Sequence, residues 1–292
     1  MGHVARTEPL GVAIVTDSTT YLPSELIDRW SITPVSLYVG WDGDLLPEHE
    51  YVDLDAFYAR LRDSPQLPKT SQPSVGDFLA VYRPLLEQGR DVVSVHLAEA
   101  LSGTFRSASE AAGMLAAEGF AGRVSVHDAQ TGAGGLGVLV LAAAELAQRG
   151  CSAEAILEGV MQARASLGMW FCLDTLEYLR RGGRIGAAQA AVGGALKVKP
   201  ILTFGSEITP VGRVRTHRRA LERMAEYLRE LRDGGAGAWI VQHAQSPDDA
   251  DRLVRAGQEI FGFDPLFCSQ VGPVLGAHLG AGMLVGGFSP PA

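Results

Sequence analysis

Hydrophobic residues in the first half of this chain occur in short runs that alternate with segments of mixed polarity. Runs such as Gly11–Thr16 and Asp91–Leu97 are typical of strands buried in a parallel sheet. Alternation of strand and helix through this half predicts a parallel sheet with helices on both faces. The other predicted strands are Ile32–Val39 and Arg123–Asp128, and the predicted helices are Pro23–Trp30, Asp53–Leu61, one after Ser74, one from near Phe105 to about Ala117, Leu136–Arg149 and Ser152–Ala165.

Past residue 166 strands and helices alternate less regularly, and hairpin-like returns occur near Gly205 and Gly212. This pattern favours a smaller mixed or antiparallel α+β domain. We therefore predict an α/β fold with two domains, a Rossmann-like parallel-sheet domain over residues 1–166 and an α+β domain over residues 167–292. The predicted strands of the second half are Leu167–Leu173, Lys197–Phe204, Ala236–Gln242, Asp264–Gln270 and Met283–Phe288, and its longer helices are His217–Arg232 and Pro247–Phe261.

Composition and charge narrow the class of protein. A net charge of −8 argues against a general nucleic-acid binder and gives no reason to expect attraction to anionic membranes. Cys151, Cys172 and Cys268 are odd in number and far apart, and no C-x-x-C occurs, so we predict neither a disulfide framework nor a metal site. Free thiols in a reducing cytoplasm are the simplest account. Met1–Pro9 is polar and Leu10–Val15 is too short for a signal peptide, and no apolar segment is long enough to span a membrane.

Two joins in the first half place hydroxyl groups where a ligand could bind. The polar stretch Lys69–Ser74 predicts a loop in which Ser74 caps the next helix, with Asp77 at the third position. This loop can present Thr70 and Ser71 to a ligand, or simply begin a helix. The second join, Leu101–Phe105, leads from a strand into a helix, and a helix N-terminus suits a phosphate or carboxylate group. Ser102 and Thr104 add hydroxyl groups beside Gly103, although an N-cap serine with a packing glycine fits the same pattern.

The stretch Asp174–Gly186 predicts a short helix that Asp174 caps and Gly182 and Gly183 end. Glu177 can complete the cap in capping-box fashion. Arg184 follows on a glycine-lined turn, where a guanidinium group can form an anion-binding corner or remain solvated. The Ala- and Gly-rich segment Ala187–Ala195 allows another backbone to approach closely.

His278 lies between glycines in an otherwise apolar segment, and a lone histidine there can be structural or can donate to a carboxylate. Folding could bring Ser102 and His278 together as an esterase or acyl transferase. However, no G-x-S-x-G motif is present, and the sequence does not indicate which acidic residue would complete a Ser–His–acid triad. The basic run Arg213–Arg219 fits a solvated face first, a specific partner surface second, and nucleic acid last.

Five stretches together resemble the DegV family, the lipid-binding proteins that include the FakB subunits of bacterial fatty-acid kinase. Their order and spacing cover nearly the whole chain, so the resemblance is specific although each motif alone is weak. The stretches are Val15–Ser18, Lys69–Ser74, Leu101–Phe105 with Ser107, Asp174–Gly186 with its continuation through Lys197–Leu202, and Gly272–His278.

The resemblance implies two α/β domains with a long-chain fatty acid in a tunnel between them, in a cytoplasmic protein with no reaction of its own and no cofactor. It also implies that a separate ATP-using kinase, related to dihydroxyacetone kinases, phosphorylates the bound carboxylate to an acyl phosphate. Carried over by motif, Thr70 and Ser102 donate to the carboxylate and His278 completes the network, directly or through water. Arg184 and Arg215 match arginines that are associated with the head-group end of the site and with productive engagement of the kinase. The remaining residues assigned to the carboxylate site are Ser71, Gly103 and Thr104.

Overall fold

The structure is a computed structural model that describes residues 11–191, 198–205 and 207–290. Its strands are β1 (Val12–Asp17), β2 (Thr33–Val35), β3 (Tyr38–Gly40), β4 (Leu46–Pro47), β5 (Lys69–Ser71), β6 (Asp91–His96), β7 (Val124–Asp128), β8 (Gly168–Leu173), β9 (Lys199–Phe204), β10 (Ile208–Val214), β11 (Ala238–Ala244), β12 (Cys268–Gln270) and β13 (Gly282–Phe288). Its α-helices are α1 (Ser24–Arg29), α2 (Leu54–Asp63), α3 (Val75–Glu87), α4 (Thr104–Leu115), α5 (Ala133–Gln148), α6 (Ala153–Ser166), α7 (Glu177–Arg181), α8 (His217–Asp233), α9 (Pro247–Phe261) and α10 (Pro273–Leu279).

The first half builds a parallel sheet in the order β2-β1-β6-β7, as the alternation of elements predicts. Both central strands are buried along most of their length, which explains their continuous apolar runs. Helices α3 and α4 cover one face through a cluster that includes Phe78, Tyr82 and Ala108. Helix α5 covers the other face, so helices lie on both sides of the sheet.

Helix α5 lies between the two halves of the molecule. It is buried on every side, from Ala133 through Ala144, and contacts β1 and β6 as well as β11 and β13. Gly134 lets its backbone approach Ile240 and Gln242 closely, since a Cβ atom there would lie 2.4 Å from the Ile240 side chain. A helix that is apolar all around is expected only where both of its sides are covered. The boundary at residue 166 therefore stays a prediction, because one hydrophobic core runs through both halves.

The second half builds a six-stranded mixed sheet in the order β10-β9-β8-β13-β11-β12. All neighbours pair antiparallel except β11 and β12, which pair in parallel. Helices α8 and α9 cover its outer face over a core that includes Trp239, Met224 and Leu253. The predicted α/β fold, with a parallel first sheet and a mixed second sheet, is confirmed.

A small third sheet, in the order β4-β3-β5, corrects two predictions. The single strand predicted over Ile32–Val39 is two strands in different sheets, because the N–H of Leu37 donates to the side chain of Ser18 and interrupts the ladder. The loop predicted over Lys69–Ser74 begins as strand β5, which pairs antiparallel with β3. The predicted cap is confirmed, since Ser74 and Asp77 form a complete capping box at the start of α3.

The helix cap predicted at Asp174 is wrong. Its carboxylate pairs with the Lys199 ammonium group on β9, while the hydroxyl of Thr175 accepts the free N–H of Glu177. An ion pair with a cation on a neighbouring strand replaces the local bond that sequence alone favoured. Glu177 pairs with Arg180 instead of completing a capping box.

The predicted helix stop holds, since Gly183 takes the left-handed conformation, with φ of +70°. A 3-10 helix covers Gly186–Ala191, and the rest of the predicted segment, residues 192–195, lies outside the described residues, as does Lys197 at the start of the next predicted strand.

Cys151, Cys172 and Cys268 are all free thiols, as predicted. Among the described residues, no group of histidine, cysteine and acidic side chains is arranged to hold a metal ion. Within the same ranges, none of the helices combines the length and the apolar character that crossing a membrane requires.

Candidate functional site

A narrow pocket opens where α10 and α7 meet β5, the start of α4 and the β9–β10 hairpin. The space between its walls is about 560 Å³, including the part open to solvent. Its polar side chains cluster through mutual contacts, and this cluster is called the polar end; most of the remaining wall is aliphatic. The polar lining residues are Thr70, Ser71, Gln72, Ser102, Arg184 and His278, and the apolar ones are Leu37, Leu97, Leu101, Leu179, Phe204, Ile208, Val274, Leu275 and Leu279.

A hydrogen bond between Thr70 and His278 forms the centre of the polar end. Thr70 Oγ1 lies 2.8 Å from His278 Nε2, although the two residues are far apart in sequence. Pairing of β5 with β3 holds Thr70, and the short helix α10 holds His278. Two glycines allow the close packing of α10, since a Cβ atom on Gly276 would lie 2.5 Å from the Tyr58 hydroxyl and one on Gly182 would lie 2.5 Å from His278 Nδ1.

The imidazole of His278 is neutral at physiological pH. Burial, with a smaller contribution from the positive charge of Arg184, lowers its pKa from 6.5 to about 4. Its Nδ1 atom is buried and has no hydrogen-bond partner among the residues that the structure describes. When Nε2 carries the ring proton, it donates to Thr70 and leaves the Thr70 hydroxyl hydrogen free for an acceptor in the pocket. A neutral imidazole can therefore orient a hydroxyl donor without adding a charge.

The second hydroxyl at the polar end comes from the join between β6 and α4. Ser102 Oγ lies 2.8 Å from Thr104 Oγ1 and accepts the backbone N–H of Thr104 at 3.3 Å. Ser102 faces the pocket, whereas Thr104 is completely buried behind it. Gly103 makes room for Gln72, because a Cβ atom there would lie 2.5 Å from the Gln72 amide nitrogen. The N-cap of α4 is Gly103 and not Ser102, so the prediction of an N-cap serine is wrong. Ser102 lines the pocket, and its role toward a ligand stays a prediction.

The two arginines singled out in the sequence lie in different places. The guanidinium group of Arg184 lines the pocket and donates to the backbone carbonyl of Gly182 at 2.8 Å and to that of Leu101 at 3.4 Å. Arg215 is exposed between β10 and α8 and does not line the pocket. The basic run around it is partly neutralised, since Arg218 and Arg219 both pair with Glu222.

Comparison with known proteins identifies the family. The model of the DegV family, described as an uncharacterised protein family, matches residues 11–289. This chain belongs to the DegV family. A DegV domain-containing protein of Streptomyces coelicolor is 40% identical over 277 residues, which cover 94% of this chain and 96% of that protein.

Solved structures of DegV proteins share the fold. A fatty-acid-binding DegV family protein from Thermus thermophilus is 33% identical, with a TM-score of 0.85 over 96% of this chain and 100% of its own. DegV from Bacillus subtilis, solved as a fatty-acid-binding protein, is 32% identical, with a TM-score of 0.85 over 96% of this chain and 99% of its own.

The hydrolase arrangement considered for this DegV chain is not assembled at the pocket. In the described ranges, no hydrogen bond joins Ser102 to His278, because Thr70 occupies Nε2, and the charged neighbour of the imidazole is Arg184 rather than a carboxylate. A Ser–His–Asp chain does occur elsewhere, from Ser94 through His96 to Asp17. All three side chains are completely buried, so they brace the sheet and cannot reach a substrate.

Most of the pocket wall was not predicted from sequence. Gln72 lay inside a recognised motif but was not assigned to the site, and Leu37 and Phe204 were predicted only as members of strands. Nothing in the sequence marked Leu37 or Leu279 as part of a pocket, because a leucine that faces a pocket looks the same in sequence as one that faces a core.

Proposed function

We propose that this DegV-family protein binds a long-chain fatty acid, with the carboxylate at the polar end of the pocket and the acyl chain along its aliphatic wall. The observation that carries the proposal is the Thr70–His278 hydrogen bond at one end of an otherwise mainly apolar pocket. Such a pocket suits an amphipathic ligand with one small polar head. DegV structures solved with fatty-acid-binding function and 32–33% identity support the same ligand class.

A carboxylate accepts hydrogen bonds only, and the polar end offers donors. Thr70 can donate its hydroxyl hydrogen to the carboxylate while its Oγ1 atom accepts a hydrogen bond from the protonated Nε2 of His278. Ser102 and Ser71 line the same pocket, and their hydroxyl groups are the further donors proposed for the carboxylate. Gly103, the N-cap of α4, is proposed to add its N–H, whereas the N–H of Thr104 is already donated to Ser102 Oγ. The guanidinium group of Arg184 supplies the nearby positive charge that offsets the cost of burying the ligand's charge.

The acyl chain supplies most of the binding free energy. Each methylene group moved from water into an apolar site contributes about 0.8 kcal/mol. The leucine-rich wall formed by residues such as Leu97, Leu179 and Leu279 provides that environment. Affinity is therefore expected to rise with chain length until the pocket is filled.

The protein holds and presents the fatty acid and does not itself transform it. We propose that a separate ATP-dependent kinase, related to dihydroxyacetone kinases, phosphorylates the carboxylate at the pocket opening in the cytoplasm. Arg184, exposed at the rim, and Arg215, exposed after β10, are the cationic residues proposed to engage the head group and the kinase. The absence of a Ser102–His278 bond in the described ranges supports a binding role over hydrolysis.

Native mass spectrometry of the purified protein, followed by denaturing extraction, tests this function. We expect a mass excess that leaves as free fatty acid. Thr70→Val should weaken binding of added palmitate by roughly tenfold or more, because one donor to a charged group is lost. Thr209→Val is the matched control, since Thr209 is exposed on β10 and does not line the pocket.

Two results would contradict the proposal. An empty protein that takes up no added fatty acid would reject the ligand class. A covalent acyl adduct on Ser102 after incubation with an activated ester would instead establish the acyl-transfer alternative.

A further inference from the structure

One buried carboxyl group lies behind the pocket wall and takes no part in the network described above. Glu48 begins the 3-10 turn Glu48–Glu50 and is 6% exposed. Its Oε1 atom accepts from the Tyr21 hydroxyl at 2.9 Å and from the backbone N–H of Val274 at 2.7 Å, and its Oε2 atom accepts from the hydroxyl of Ser18. Three donors from three separate segments therefore converge on one carboxyl group.

These hydrogen bonds reach two parts of the pocket wall. Val274 lies in the first turn of α10, and the N–H of the next residue, Leu275, donates to the same Tyr21 hydroxyl at 3.0 Å. On the other side, Ser18 Oγ accepts the N–H of Leu37 at 3.1 Å. Leu37, Val274 and Leu275 all line the pocket. Glu48 thus connects the start of the helix that carries the site's imidazole with a second segment of the wall.

The carboxyl group of Glu48 is buried without a compensating cation. Within the described ranges, no basic group is found to act on it, and the charged group that does is Asp17, itself buried and bonded to His96. The remaining titratable groups that face it are the phenols of Tyr21 and Tyr58. Burial, helped by the charge of Asp17 and opposed by the three donors, raises the pKa of Glu48 from 4.5 to about 7.

Both protonation states of Glu48 can keep these contacts. The neutral group can donate from Oε2 to Ser18 Oγ while Oε1 still accepts from Tyr21 and Val274. Glutamine reproduces the neutral arrangement, because its NH₂ group can donate to Ser18 and its carbonyl oxygen can accept the other two bonds.

We propose that Glu48 is a positioning residue for the head-group pocket: it fixes the wall formed by Leu37 and α10, and it transmits the gain or loss of one buried proton to ligand affinity. This inference rests on the proposed function, since the ligand is an anion. When Glu48 ionises, a second negative charge joins Asp17 in the interior behind the pocket, and the affinity for a carboxylate falls.

The test compares Glu48→Gln with the wild type in binding dodecanoate, a soluble fatty acid, from about pH 5.5 to about pH 8.5, a range that brackets the titration. The ratio of wild-type Kd to variant Kd removes the titration of the ligand itself. We expect a ratio near one at the acid end and roughly three- to tenfold at the alkaline end, the size expected for one added charge at an effective dielectric constant near 20. Glu50→Gln, which removes an exposed charge from the same turn, should give a flat ratio.

A second variant keeps the proposal testable if Glu48→Gln folds poorly. Tyr21→Phe removes one of the donors that lower the pKa of Glu48, so it should shift the pH dependence of binding to higher pH. If the wild type binds dodecanoate but the ratio of wild-type Kd to variant Kd does not change with pH, the inference is overturned. A wild type that binds no dodecanoate at any pH would instead reject the proposed function.

Discussion

The missing side chain of Gly182 determines where the imidazole of His278 can lie. A Cβ atom at this position would lie 2.5 Å from Nδ1, too close for the ring to keep its place. The backbone of Gly182 has φ of −78°, so alanine itself fits the conformation. Contact with the imidazole, rather than backbone strain, is what excludes a larger residue.

Gly182→Ala is therefore expected to separate binding from stability. Displacement of the imidazole breaks the bond to Thr70, and fatty-acid affinity should fall by roughly tenfold, while the free energy of unfolding stays within about 1 kcal/mol of the wild type. Ligand titration and urea unfolding measure the two quantities. Gly113→Ala is the matched control, because a Cβ atom there meets no neighbour. Equal affinity of the two variants would contradict this role.

At the residue scale, sequence analysis assigned residues to the candidate site but did not predict the contacts between them. Thr70, Ser102, Arg184 and His278 were all nominated, and they line one pocket. Gly182 was predicted only as a helix stop, because its contact with His278 depends on the arrangement of segments far apart in sequence. Glu48 offered no signal, since an acid in a polar turn is expected to be exposed.

Helix α3 shows how a local signal fixes one edge of the site. The capping box joins Ser74 and Asp77 in both directions, and the same Asp77 carboxylate accepts from the Tyr38 hydroxyl on β3 at 3.1 Å. The start of the helix is thereby attached to the strand that pairs with β5. The box lies just after the residues that form the rim of the pocket.

Removal of this cap should cost measurable stability. Ser74→Ala is expected to lower the free energy of unfolding by about 1 kcal/mol, because the N–H of Asp77 loses its acceptor. Ser109→Ala is the control and should not lower the free energy of unfolding in this way. Ser109 lies inside α4, where it donates to the carbonyl of Phe105 and where alanine is the better helix former. Urea unfolding of both variants measures the difference, and equal effects would refute the cap's contribution.

At the scale of elements, prediction succeeded where the signal is local. The cap at Ser74, the strands β1 and β6 and the amphipathic α8 and α9 follow from neighbouring residues. Prediction failed where distant partners decide. Strand β5 exists because β3 pairs with it, and Asp174 does not cap α7 because Lys199 binds it.

Two buried groups make opposite contributions to the pH dependence of stability for the whole molecule. The pKa of Glu48 is raised to about 7, so the native state holds its proton more tightly, and this contribution falls as pH rises from 4.5 to 7. The pKa of His278 is lowered to about 4, so the unfolded state holds its proton more tightly, and this contribution is lost as pH falls from 6.5 to 4. The two effects oppose each other across the shared range.

In the Glu48→Gln variant, the contribution of His278 to the pH dependence of stability should be seen without the opposing contribution of Glu48. Relative to the wild type, the variant is expected to gain up to about 3 kcal/mol of unfolding free energy between pH 4.5 and pH 8, because it no longer has an acid to ionise in the interior. Urea unfolding at several pH values measures the gain. A constant difference between variant and wild type across that range would show that Glu48 does not titrate there.

Helix α5 has a further consequence for how a ligand can enter. Many two-domain binding proteins open like a clamshell about a hinge, which requires an interface that can separate. Here the same helix packs on β1 and β6 and on β11 and β13, and it presents apolar side chains in both directions. Separation of the two sheets would expose one apolar side of that helix to water. For the proposed ligand we therefore expect entry and exit by local displacement of the segments at the rim, while the body of the molecule remains closed.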